Sequence, residues 1–180
     1  MMKPINAICL AGFTLTAIVL YFLSYFPLIP AWAMFITWAC FFHLDGGVDK
    51  NKAFFSTIRH IGLGALASWI SALIVLNNPW TSAWANPLWA PILIAAVIAL
   101  LMRLGTFVQF SATSPIVYGY ASIWAFLSVP GLFNQEILLS FSFQNAIVAM
   151  LFCVLLGACC AYVNAMMVTW LCNIKLADKS

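Results

Sequence analysis

His43 and Asp45 stand two residues apart at the end of an apolar stretch, the one place where an imidazole and a carboxylate adjoin. A carboxylate neighbour can move a histidine's charge change across roughly pH 6–7. The pair therefore suits a pH gate; it equally suits a helix end that meets lipid headgroups. Two groups of small, hydroxylic and aromatic residues could line a path beside it. One is Trp32, Thr37 and Trp38 with Cys40; the other is Tyr118, Gly119, Ser122 and Trp124. Tyr118, Ser122 and Ala125 recur at helical spacing and share a face. Hydroxyls between aromatic walls fit passage of a small, neutral, polar solute. The same residues would also let helices pack closely, with hydroxyls bonded back to the backbone.

Small residues spaced by four mark two further segments: Gly64, Ser68 and Ala72, then Gly157, Ala161 and Ala165. Such stripes let helices approach closely in lipid. They point to helix packing, and the Gly157 stripe to the contact surface of a homo-oligomer. Asn164 needs a hydrogen-bond partner, and His60 beside Arg59 reads as an interfacial residue.

Enzyme chemistry has no foothold. No GxSxG, HExxH or phosphate-cradling glycine loop occurs. The four carboxylates, Asp45, Asp49, Glu136 and Asp178, all fall at segment ends. The six cysteines show no metal-binding spacing and read as free packing thiols. No cofactor and no metal are expected. A formal charge of +3, thinly scattered, gives nucleic acid no surface to bind.

What must position these residues is a membrane helix bundle. Only 6% of the chain is charged, against about 25% in soluble domains. The runs 4–44, 60–102, 104–135 and 137–174 contain no charge, and each exceeds the roughly 20 residues that span a bilayer core. The N-terminal run has Ala31-Trp32-Ala33 beyond it, as a signal peptide would, but is too long for one and reads as a first membrane helix.

Turn residues cut these runs into six segments. Pro27 and Pro30 end the first, which starts at Ile5; a short second piece, 31–44, stops at Asp45-Gly46-Gly47. A third runs from Ser56 to Leu76, a fourth from Leu88 to Phe110, a short fifth from Pro115 to Pro130-Gly131, and a long sixth from Phe143 to Cys172. At 1.5 Å per residue the short pieces reach only about 21–23 Å.

With six crossings, Lys3, Lys50, Lys52, Arg59, Lys175 and Lys179 fall inside, Arg103 nearby, and only Glu136 outside. That distribution obeys the positive-inside rule with both termini cytoplasmic. A four-crossing alternative makes the short pieces re-entrant and puts Lys50, Lys52, Arg59 and Arg103 outside.

Long–short–long recurs in 5–76 and 88–172. A shift of 86 places Trp38-Ala39 on Trp124-Ala125, Trp32 on Tyr118 and Ala33 on Gly119. Three crossings per half imply a 3+3 inverted repeat, a transporter arrangement whose interrupted segments point to the pathway. The expected fold is thus a single all-α polytopic domain over 1–180, with segments two and five short.

The run Trp32-Ala33-x-Phe35, Ala39-x-Phe41, Gly46-Gly47, Gly64 and Trp69, with Pro115 to Gly119 and Ala121-Ser122 to Phe126, resembles the YcdZ-like bacterial inner-membrane proteins, a family of unknown function. His43-Leu44-Asp45 departs from the less charged approach to Gly-Gly that this likeness leads one to expect. The resemblance implies a small multi-pass protein of the bacterial inner membrane and brings no catalytic residue or substrate. From the residues, the expected function is a channel or facilitator for urea, ammonia or a short amide. The alternative is a non-transporting membrane subunit that packs on a partner through its Gly/Ala faces.

Overall fold

The computed structural model describes residues 2–27 and 29–173. Among these every regular element is helical: α1 (Pro4–Leu23), α2 (Ala31–His43), α3 (Lys50–Leu76), α4 (Asn86–Arg103), α5 (Thr113–Leu127), α6 (Gln135–Leu139) and α7 (Ala146–Asn173). α1, α3, α7 and the stretch Asn86–Thr106 are long and apolar enough to cross a membrane, as expected of a multi-pass membrane protein. Lys175, Asp178 and Lys179 lie outside the described residues.

Local chemistry explains the helix ends, and some differ from the expectation. α3 begins at Lys50 rather than Ser56, because the Asp49 carboxylate accepts from the Lys52 N–H (3.0 Å) and caps it. Lysine is itself a good helix former, so Lys50 and Lys52 do not oppose the helix. α4 stops at Arg103 instead of Phe110, and two 3-10 turns, 104–106 and 108–110, carry the chain around Gly105. α7 begins at Ala146, where the Asn145 side chain accepts from the Ile147 N–H (3.0 Å). The five-residue α6 was not expected; Asn134 caps it through the Ile137 N–H (2.9 Å). Trp69 of α3 donates its indole N–H to the Leu138 carbonyl (2.8 Å) and ties α6 down.

α3 and α7 form the centre and run antiparallel. The Tyr162 hydroxyl donates to the Asn51 side chain (2.9 Å) at one end, and Gly62 faces Leu151 further along. α2 lies parallel to α7: the Cys153 thiol reaches the Pro30 carbonyl (3.6 Å), Gly157 sits on Met34 and Thr37, and Phe41 meets Tyr162. α5 lies parallel to α3, with Phe110 beside His60 just before it and the Tyr120 hydroxyl at Ser71 (2.9 Å). Each short helix therefore rests on the long helix from the other part of the chain. α1 and α4 are peripheral: they bury only Ala7, Ala11 and Leu23, and Leu101, respectively. Their large outward side chains, Phe13, Tyr21, Ile92 and Leu100 among them, suit lipid.

Glycine makes the two close approaches possible. A Cβ on Gly64 would overlap the Ile116 carbonyl of α5, and one on Gly157 would overlap the Met34 carbonyl of α2. Ala161 and Ala165 are buried with Phe41 and Ala53, and Ser68 is fully buried. This corrects one expectation: the Gly157–Ala161–Ala165 stripe is already covered by α2 and α3 of its own chain, so it is no surface for a second copy.

Candidate functional site

Of the residues expected to line a path, His43 and Tyr118 share a space. With Ile36, Ala39 and Cys40 they line a groove of about 420 Å³ between α2 and α5. Tyr118 is 50% exposed there. The others are held in packing contacts. Thr37 is buried, and its hydroxyl donates to the Ala33 carbonyl (3.0 Å). Ser122, also buried, donates to the Tyr118 carbonyl (2.7 Å). Gly119 lies against the Ile61 carbonyl of α3. Trp38 stacks on Phe35 (6.3 Å between centroids), Trp124 packs beside Phe133 (5.9 Å), and Trp32 is partly exposed at the start of α2.

His43 and Asp45 are both exposed, and no ion pair or hydrogen bond joins them among the described residues. Asp45 has φ +64°, in the left-handed region that ends helices, and the Gly46 N–H closes the turn onto the Phe41 carbonyl (3.0 Å). A Cβ on Gly46 would run into the Phe41 ring. The Asp45-Gly46 pair thus stops α2 where the sequence placed the stop.

A second constellation was expected only in part, as the Gly64–Ser68 stripe and a separate His60. Thr57, His60, Gly64, Ser68 and Ser71 recur every three or four residues along α3 and share one face. All five are buried. His60, read as interfacial, is only 2% exposed, with the Phe110 ring beside it. Its Nδ1 lies 2.7 Å from the Ser56 carbonyl oxygen. A carbonyl only accepts, so Nδ1 carries the proton and Nε2 presents a lone pair. The Ser56 hydroxyl, 3.2 Å from the same nitrogen, makes a weaker second contact. The Phe110 ring stands edge-on to the imidazole (5.9 Å, 70°), with the Arg59 guanidinium also over that ring (5.6 Å).

Ser71 donates to the Ser68 carbonyl (2.8 Å), so the Tyr120 hydroxyl donates to Ser71. Four buried polar atoms have no partner among the described residues: Thr57 Oγ1, His60 Nε2, Ser68 Oγ and Trp124 Nε1. Three sit on this face of α3, and the fourth is on α5. Each such group costs about 1–3 kcal/mol when left unpaired. Among the described residues the unpartnered buried polar atoms gather on this face of α3 and on α5. The spacing 57, 60, 64, 68, 71 was the available signal.

Two other features complete the picture. An apolar hollow of about 600 Å³ lies between the end of α1 and α7, walled by Phe22, Leu23, Phe26, Phe152 and Leu156 among others. Among the described residues no three His, Cys, Asp or Glu side chains converge as metal ligands would.

No curated protein and no solved structure matches the chain. A family model described as "Protein of unknown function (DUF1097)" matches residues 10–169, from within α1 to the last turns of α7. The match includes both short helices and the whole polar face of α3, so the chain belongs to the DUF1097 family.

Proposed function

We propose that this chain is a passive facilitator for a small, neutral, polar solute of the urea, ammonia or short-amide class, and that the path follows the α3–α5 seam. The observation that carries this is the run of unpaired polar atoms at Thr57, His60 and Ser68. A bundle built only to pack would gain stability from alanine or valine at these positions. A path for polar solutes needs them, and it needs no charge at membrane depth. The groove at His43 and Tyr118 then serves as a vestibule on the neighbouring side of α5.

Flux into proteoliposomes across a panel of urea, ammonia, acetamide and glycerol tests this proposal. At least one solute should enter ten times faster than into empty liposomes. No excess permeability for any solute, from protein shown to be folded, would sink it. That result would favour the second reading, a non-transporting membrane subunit. The tight seating of Gly64 and Gly157 on opposing carbonyls is the observation on its side.

We further propose six crossings in two inverted halves, 5–76 and 88–172, in a YcdZ-like protein of the bacterial inner membrane with both termini cytoplasmic. The opposed directions of α2 and α3 support it, as does the matched seating of α5 on α3 and α2 on α7. Lys3, Lys50, Lys52, Arg59 and Arg103 then fall toward one side. Reporter insertions should read cytoplasmic at Gly47 and external at Asn134. The same side for both would refute the scheme and restore the four-crossing alternative. In a homo-oligomer the contact falls to the bare faces of α1 or α4, since the glycine stripes are occupied.

A further inference from the structure

The unpaired atoms of the seam differ in what they can recognise. The hydroxyls of Thr57 and Ser68 both donate and accept, so they discriminate little. His60 is different. Its Nδ1 proton is held by the Ser56 carbonyl at 2.7 Å, which leaves Nε2 able only to accept. That nitrogen is buried and unpartnered. Trp124, near the far end of α5, presents the converse, an indole N–H that can only donate and is likewise unpartnered. On the path proposed above, a molecule would meet an obligate acceptor near the Phe110 end, donors in the Thr57 and Ser68 hydroxyls, and an obligate donor on α5.

We infer that His60 Nε2 is a solute-binding acceptor that selects molecules carrying an N–H or O–H donor, and that the preferred ligands combine such a donor with a carbonyl, as urea and primary amides do. The inference rests on the path proposed above. It adds the chemical rule by which the path chooses. Solutes of the same size that only accept hydrogen bonds, such as dimethyl sulfoxide, find no partner at His60. Phe110 stands edge-on to the imidazole (5.9 Å between centroids), so on this proposal its removal opens the way to His60.

Imidazole nitrogen resonances test this directly. The chain has two histidines, so His43→Gln leaves one imidazole to observe. Protein labelled with ¹⁵N-histidine, in lipid nanodiscs, is titrated with urea and separately with dimethyl sulfoxide. The unprotonated Nε2 resonance should move saturably with urea and stay still with dimethyl sulfoxide. Phe110→Ala should lower the urea concentration at half-shift several-fold. No movement with urea, or equal movement with both, overturns the inference. The two proposals fail separately. Flux with an unmoved resonance removes His60 and keeps the facilitator, whereas a urea-specific shift without flux keeps the site and removes transport.

Discussion

α3 and α7 are nearly the same length and do the same mechanical task with different chemistry. Each is central, and each holds the short helix of the other part of the chain through a glycine pressed on a carbonyl, Gly64 on Ile116 and Gly157 on Met34. Their buried faces diverge. α7 buries Ala149, Cys153, Val154, Gly157, Ala158 and Ala161 around a single amide, Asn164. α3 buries Thr57, His60, Ser68 and Ser71 in the corresponding role. Helix packing in lipid asks only for small residues and close approach, which α7 supplies. The hydroxyls and imidazole of α3 exceed that requirement and lower stability. A feature that weakens a fold without aiding its packing marks where function resides. By that criterion α7 with α2 is the strut, and α3 with α5 carries the proposed site.

The largest test breaks the shared part of the comparison. Gly64→Leu and Gly157→Leu should each destabilise by about 3 kcal/mol, because the added side chain must displace backbone rather than a flexible tip. Thermal unfolding in mild detergent reads the loss. Gly12→Leu is the control, since a Cβ there meets nothing within 4 Å. If Gly64→Leu melts like Gly12→Leu, α3 and α5 do not seat as described.

A smaller effect sharpens the part that differs. Ser68→Ala removes a hydroxyl without a partner and should raise stability by about 1 kcal/mol, while lowering solute flux. The mirror change on α7, Ala161→Ser, should lower stability by a similar amount. Equal signs for the two would mean that the polar–apolar contrast does not separate the helices. Unchanged flux in Ser68→Ala would take this residue out of the path.

Much of the scaffold was legible because turns announce themselves. Pro27 and Pro30 bracket the break before α2, and Asp45-Gly46-Gly47 gave its end to within a residue. The start of α3 lies six residues before the expected Ser56, because the Asp49 cap extends the helix through a charged stretch that apolar character does not report. The apolar run through Phe110 concealed the end of α4: hydropathy reports depth in the membrane, and a 3-10 turn is as apolar as a helix. For the site, shortness drew attention to α2 and α5, and of the residues named there only Cys40, His43 and Tyr118 line a common groove. The stripe on α3 was visible as spacing but not as a seam. Its partners Phe110, Tyr120 and Trp124 lie some tens of residues away, and one sequence does not say which helices touch. Arg59 beside His60 also suggested an interface, when the imidazole in fact turns inward.

The parallel seating of α2 on α7 also has a consequence for how the protein is made. α2 ends at His43, but the helix that carries it begins only at Ala146. At ribosomal speeds of about 5–20 residues per second, that interval lasts roughly 5–20 s. Throughout it, a helix too short to span comfortably waits with its binding face turned to lipid or to the insertion machinery. The nascent chain therefore acquires its N-terminal part last in the sense that matters, when the C-terminal helix arrives and closes over it. A chain interrupted before α7 leaves α2 with lesser contacts, such as that on α3 where Cys40 meets Ile61.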